Sequence, residues 1–231
     1  MVTATVLLNQ AIYNASRQSS FTTDSISPTA GRFVIVTITQ GGSTSSANTP
    51  TMSGCSMTFT QVSSFASGSD NTKRITVFRA VAVSPTTGAL TIDFAGQGQI
   101  GMTCQFVQLT KINTTGSNGS NGIIQAVAEE VALVSTSKSI TLSALAKASN
   151  VTYGTILNWG YGTTQTPGSG YTELAELVNT VGSMTQSQIR IPLGSTTVNW
   201  TFADANDGRT GAVALELNTV PDTGGLILTI F

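Results

Sequence analysis

Few side chains in this 231-residue sequence can do acid–base, nucleophilic or metal chemistry. Six of the 11 carboxylates fall in close pairs: Glu129 with Glu130, Glu173 with Glu176, and Asp204 with Asp207. A glycosidase needs two carboxyls facing each other across a cleft. Pairs this near in sequence sit on one turn or strand end, where water solvates them. Asp204-Ala205-Asn206-Asp207-Gly208 offers three oxygen ligands of the kind Ca2+ takes, but without the bidentate Glu and full loop of an EF-hand. A turn joining two strands is the favoured reading there. Histidine is absent, so no Ser–His–Asp triad, His–Cys pair or His-ligated zinc or haem can form. Cys55 and Cys104 are too few to complete a cysteine metal site within one chain. The expectation is a non-enzymatic protein with no catalytic residue, metal or cofactor. The remaining candidates are aromatic. Trp159, Tyr161 and Tyr171 stand near glycine-rich stretches, as sugar-stacking platforms of β-sandwiches do, although Trp159 can equally end a core strand.

Composition narrows the partners. Lys and Arg number 10 against 11 Asp and Glu, and charged residues make up 9% of the chain, against roughly 25% in an average soluble domain. Nucleic-acid binding needs clustered Lys and Arg to displace counterions, so none is expected. The N-terminus has no basic region ahead of an apolar run, which makes it a poor signal peptide. No run of apolar residues is long enough for a transmembrane helix, so no membrane partner is expected either. Synthesis and retention in a reducing cytoplasm favour two free thiols at Cys55 and Cys104, with a disulfide as the alternative.

The elements are strands. β-branched and aromatic residues alternate with Ser, Thr and Gln in short runs punctuated by Gly, Pro and Asn, the pattern of an all-β protein. Leu90-Thr91-Ile92-Asp93-Phe94 places its apolar residues at every second position, as a half-buried strand requires. Residues 33–40, 75–80, 102–109, 139–142, 151–159, 188–193, 198–202 and 212–217 read similarly. Residues 123–133 carry some helical composition but are read as extended.

The two halves match. Leu90–Ala95 aligns with Val198–Ala203 at an offset of 108, which also carries Phe106–Leu109 onto Ala214–Leu217. An offset of 114 pairs Gly54 with Gly168, Met57-Thr58 with Tyr171-Thr172, and Ile75 and Val77 with Ile189 and Ile191. Upstream, an offset of 119 pairs Val36 and Ile38 with Thr155 and Leu157. The offset changes only at expected loops, where insertions are tolerated. The sequence therefore predicts two tandem β-sandwich domains, jelly-roll or immunoglobulin-like, produced by an internal duplication. The expected division is an N-terminal arm at 1–17, a first repeat at 18–112, a Gly/Ser/Asn-rich linker at 113–129, a second repeat at 130–221 and an apolar C-terminal arm at 222–231.

That last arm holds Leu226-Ile227-Leu228-Thr229-Ile230-Phe231 after Pro221 and two glycines. A β-prone apolar run of this kind is an aggregation hazard unless it pairs with something. Leu226, Ile227, Leu228, Ile230 and Phe231 are therefore candidate contacts with a neighbouring subunit or a particle surface. The chain's own N-terminal strand is the other candidate.

The succession Gly170-Tyr171-Thr172, Ile189–Ile191, Val198–Phe202 and Ala212–Leu217 resembles the tandem β-sandwich structural proteins of tailed-phage virions. The resemblance is one of pattern and carries no catalytic residues. It implies a capsid decoration, or cement, protein located in the virion. Its partners would be the major capsid protein or other virion proteins, and it would be a homo-oligomer, with a trimer favoured. The alternative is a phage tail or fibre module, or a bacterial surface adhesin, binding a glycan through the aromatic loops.

Overall fold

The computed structural model describes residues 1–41, 46–67, 72–131, 135–158, 164–179, 183–206 and 210–221. The first half contains β1 (Ala4–Gln18), β2 (Ser20–Thr22), β3 (Phe33–Gly41), β4 (Thr51–Gly54), β5 (Thr60–Ser67), β6 (Lys73–Val81), β7 (Leu90–Asp93) and β8 (Gln99–Leu109). The second contains β9 (Ile123–Val131), β10 (Ser135–Thr141), β11 (Val151–Asn158), β12 (Gln165–Pro167), β13 (Thr172–Asn179), β14 (Ser183–Arg190), β15 (Thr197–Asn206) and β16 (Thr210–Leu217).

Each half is a sandwich of one five-stranded and one three-stranded sheet. The orders are β1-β8-β3-β6-β5 with β2-β7-β4, and β9-β16-β11-β14-β13 with β10-β15-β12. Strand for strand the two orders are the same, so the chain is all-β and built from two tandem β-sandwiches. Within each half the strands follow jelly-roll order, with the fifth strand moved to the edge of the larger sheet beside the sixth. Of the two expected sandwich types this is the jelly roll.

The two sandwiches pack through their larger sheets, giving four layers and three cores. Val34, Val36 and Ile38 of β3 face the first sandwich's own core with Ile92, Phe94, Cys104 and Phe106. Their neighbours Phe33 and Ile35 face the other way. They meet Tyr153 and Leu157 of β11 and Val213, Leu215 and Leu217 of β16 in a core shared by both repeats. A third cluster around Trp200, Ile156 and Ala214 fills the second sandwich. Strands β3, β11 and β16 are buried at every residue, because both faces of their sheets are covered. Continuous apolar runs in the sequence are the signature of such strands.

The shared core is apolar at one end and polar at the other. The Tyr153 hydroxyl meets Thr37 Oγ1 at 3.0 Å, and the hydroxyls of Thr39, Thr103 and Thr185 form a closed triangle of 2.7, 2.9 and 3.0 Å. Gln105 Nε2 donates to the carbonyls of Ala175 and Thr185 across the seam. The packing has pseudo-twofold character: β1 lies against β13, and their counterparts β9 and β5 lie against each other. Asn9 Nδ2 donates to Glu176 O, and Ser67 Oγ to Glu130 Oε1, at 3.1 Å each. The segments after β8 and β16 bond to each other as well, through the Ile112–Thr219 bridge and the Asn113 N–H to Asn218 O bond.

The structure corrects parts of the sequence alignment. Phe33 and Val151 both begin their strands opposite the ends of the closing strands, Leu109 and Leu217. Val36 and Ile38 therefore correspond to Gly154 and Ile156, not to Thr155 and Leu157. The sequence match was one residue out, which transfers every side chain to the wrong face. Ile75 corresponds to Thr185 and Val77 to Ser187, a shift of two residue pairs along the same face. The turn match holds: the Met57 N–H donates to Gly54 O, and the Tyr171 N–H to Gly168 O. Both following strands carry a bulge at the same place, at Val62 and at Leu174.

Two boundaries also differ from the expected division. Residues 1–17 are not an arm outside the repeat, since β1 is the edge strand of the first sheet and pairs with β8. The Gly/Ser/Asn-rich stretch is not a free linker. Asn118, in a left-handed conformation at φ 48°, donates to Thr58 O and Thr60 Oγ1 and accepts the Val81 N–H. Strand β9 then begins at Ile123. Asn tolerates this conformation and bonds the backbone locally, so composition that signals flexibility here makes a docked turn.

One size exchange distinguishes the two sandwich cores. Val36 and Ile92 of the first become Gly154 and Trp200 of the second. Trp200 is fully buried, and a Cβ on Gly154 would stand 2.8 Å from its indole ring. The glycine is the notch that admits the indole. Gly154→Val alone should destabilise by about 1–3 kcal/mol through overpacking, and Trp200→Ile alone by about 2–4 kcal/mol through the cavity. The double variant restores the first repeat's pair, so its measured urea stability should exceed the sum of the single effects. Simple additivity would contradict the notch.

Candidate functional site

Of the three aromatics nominated from the sequence, Tyr171 lies among the described residues. Tyr171 lies where β13 begins. Its hydroxyl bonds Thr152 Oγ1 at 2.8 Å and Thr197 O at 3.1 Å, and the Arg190 guanidinium stands 6.0 Å from the ring centre. Thr152 is near the start of β11, whereas Asn158 ends it, six residues or roughly 20 Å further along an extended chain. Trp159 and Tyr161, which follow Asn158, lie outside the described residues, as do Asp207 and Leu226, Ile227, Leu228, Ile230 and Phe231.

Strand geometry separates Glu129 from Glu130. Glu129 and Glu130 are successive β9 residues and point to opposite faces. Glu129 pairs with the buried Lys138 at 3.1 Å, and Glu130 accepts from Ser67. Glu173 is exposed, while Glu176 Oε1 accepts the Gln165 N–H at 2.7 Å. Burial pushes the Glu176 carboxyl up, the Gln165 N–H partly offsets this, and the nearby Glu173 charge adds to the rise. The bulge at Leu174 leaves Glu173 and Glu176 opposite Gln188 and Gln186, on one face of β13. Among the described residues, no group of three or more His, Cys, Asp or Glu is placed to hold a metal ion.

Cys55 and Cys104 are both free and buried. The Cys55 thiol donates to Gly88 O at 3.2 Å. Burial pushes both thiols up, Cys104 the more strongly. The thiolate is the reactive species, so neither position is poised as a nucleophile.

Two features escaped the sequence because distant segments assemble them. The first is the Glu216 carboxylate, fully buried in β16. It accepts from Gln125 Nε2 at 2.6 Å, the Ala146 N–H at 2.7 Å and Asn150 Nδ2 at 2.6 Å. Three charge-assisted bonds make it the anchor of the connection between β10 and β11. The second is a cavity of about 410 Å³ where the repeats meet, lined by Val2, Val151, Ile191, Pro192, Val220 and Pro221 together with Lys111 and Lys147. Its walls are largely apolar, and Lys147 Nζ is bonded to Asn218 Oδ1. No residue pattern marks it in the sequence, because its lining comes from both ends of the chain and from both repeats.

No protein-family model, curated protein or solved structure matches this chain.

The titration behaviour follows from these environments. Without histidine, no side chain has an ordinary pKa between pH 5 and 8, so apart from a small fall where the raised Glu176 carboxyl ionises, the melting temperature should be nearly flat across that range. Burial raises Cys55, Cys104, Tyr153 and Tyr171 in the folded state. A raised folded pKa contributes stability below the unfolded value and loses it as pH rises. The melting temperature should therefore fall above about pH 9, and both thiols should stay unreactive toward a thiol reagent at pH 8 until the chain is unfolded. Fast labelling of the native protein, or a melting temperature unchanged to pH 11, would contradict these environments.

Proposed function

We propose that this chain is a non-enzymatic structural protein of a bacteriophage particle, a decoration protein that sits on the capsid exterior and stabilises the head. In this reading it is made in the host cytoplasm, assembles as a homo-oligomer (a trimer is the favoured state) and contacts the major capsid protein. The observation that carries the reading is the fusion of two jelly rolls into one four-layer block. Covering both faces of both large sheets commits the interior to shape and rigidity, and those are the properties a surface-coating component uses. The jelly roll recurs in viral capsid domains, and fold alone does not assign function, so the proposal stands or falls on binding.

The test is co-sedimentation of purified protein with empty capsids, together with its mass in solution. Saturable binding and a discrete oligomer are expected. Deletion of residues 224–231 should weaken particle binding or assembly if the apolar run makes inter-subunit contacts. Failure to bind capsids, with binding to host-cell glycans instead, would overturn the decoration reading in favour of an adhesin or fibre module, since jelly rolls also serve as lectins.

A further inference from the structure

The two repeats end alike. Leu109 stands opposite Phe33 as Leu217 stands opposite Val151. Beyond these strands the two segments cross, Ile112 bridging to Thr219 and the Val220 N–H donating to Lys111 O. The offset of 108 continues through the crossing, so Ile112 corresponds to Val220 and Asn113 to Pro221.

After its crossing the first segment folds back onto its own repeat. Asn118 Nδ2 donates to Thr58 O at 2.7 Å and to Thr60 Oγ1 at 3.0 Å, and Asn118 Oδ1 accepts the Val81 N–H at 3.2 Å. Gly119 is buried against Phe33 and Val81, so closely that a Cβ there would stand 2.7 Å from Val81 Cγ2 and 3.0 Å from the Phe33 ring. In the second repeat Val151 and Ile191 take the places of Phe33 and Val81. Among the described residues that place is the cavity of about 410 Å³, walled by Val151, Ile191, Val220 and Pro221. Val220 is 38% exposed beside it, whereas its counterpart Ile112 is 4% exposed. The residues that match Asn118 and Gly119 are Leu226 and Ile227, at the same spacing after Pro221 as the first pair has after Asn113. Both lie outside the described residues.

We propose that Leu226 and Ile227 fill the cavity of their own chain, as Asn118 and Gly119 cover Phe33 and Val81. Size fits the pairing. The large Phe33 admits only a glycine above it, whereas the smaller Val151 leaves a space that an isoleucine can occupy. The same exchange of large for small, at nearly kept volume, separates Val36 and Ile92 from Gly154 and Trp200. Polarity fits as well, since the cavity walls are largely apolar and both residues are aliphatic. The tether is of matching length, and a segment attached at the cavity wall meets it at an effective concentration that no free peptide reaches. The match stops at Ile227. Ile123 stands opposite Leu217 as Ala4 stands opposite Leu109, so Ser120–Gly122 correspond to Met1–Thr3, and Met1 and Val2 already hold that position in the cavity wall. The contact is intramolecular and stands whether or not the protein coats a capsid.

The test is disulfide trapping in the full chain carrying Ile191→Cys and Ile227→Cys, the pair that matches Val81 and Gly119, under mild oxidation at pH 8. A bond within one chain is expected, read by intact mass and by electrophoresis without reductant. It should form on the order of tenfold faster than in a control carrying Ile191→Cys and Phe231→Cys, because docking and not mere tethering sets the encounter. Ile227→Asp should lower the melting temperature by roughly 3–10 °C, as loss of one buried aliphatic side chain implies for a chain of this size. A disulfide formed only between chains would place the run on a second copy and overturn the proposal. So would a control that closes as fast as the matched pair, or an Ile227→Asp variant that melts like wild type. Should the double-cysteine variant not fold, Ile227→Asp decides alone.

Discussion

The structure depends on one constraint: the two five-stranded sheets are buried on both faces. A jelly roll needs only the inner face of each sheet to be apolar. Here the outer faces of the larger sheets are apolar too, so an isolated half would expose Phe33, Ile35, Val107 and Leu109, or Tyr153, Val213, Leu215 and Leu217, to water. Burying side chains of this size contributes about 1.5–3 kcal/mol each before ordering costs. Each repeat therefore has its own core and also depends on the other. The Thr39–Thr103–Thr185 triangle and the Thr37–Tyr153 pair add direction to a seam that apolar contact alone would leave free to slide.

The duplication has been elaborated unequally. Topology, turn geometry and the bulge in the fifth strand are kept, while the fillings differ. A valine–isoleucine pair has become glycine and tryptophan at nearly conserved volume, the kind of exchange that cores tolerate. Arg74, which donates to Ala47 O and Ser64 Oγ in the first repeat, has Met184 as its counterpart, and Ser64 has Glu176. Gln108, which reaches Thr29 near the surface, has as its counterpart Glu216, buried and holding three donors. Among the described residues, the second repeat buries more polar side chains than the first.

Much of this was legible in the sequence. The all-β class, the duplication and the inward positions of Ile92, Phe94, Trp200 and Phe202 follow from alternation and from the ungapped match around them. The one-residue error at Val36 arose because β3 and β11 are apolar on both faces, so alternation, the only signal of register, is missing there. The same double-sided burial hid the seam: Thr37, Thr39, Thr103 and Gln105 are polar and yet buried between sheets. Composition misled at Asn118, where a turn-forming side chain docks the segment. The cavity was invisible because its residues come from segments far apart in the chain.

Interdependence of the repeats is tested most directly by differential scanning calorimetry of the full chain at neutral pH. If the shared core binds both sandwiches into one folding unit, a single transition will be seen whose calorimetric and van't Hoff enthalpies agree. Two resolved transitions, or a calorimetric enthalpy about twice the van't Hoff value, would show that the sandwiches unfold independently and that their contact is an ordinary inter-domain surface.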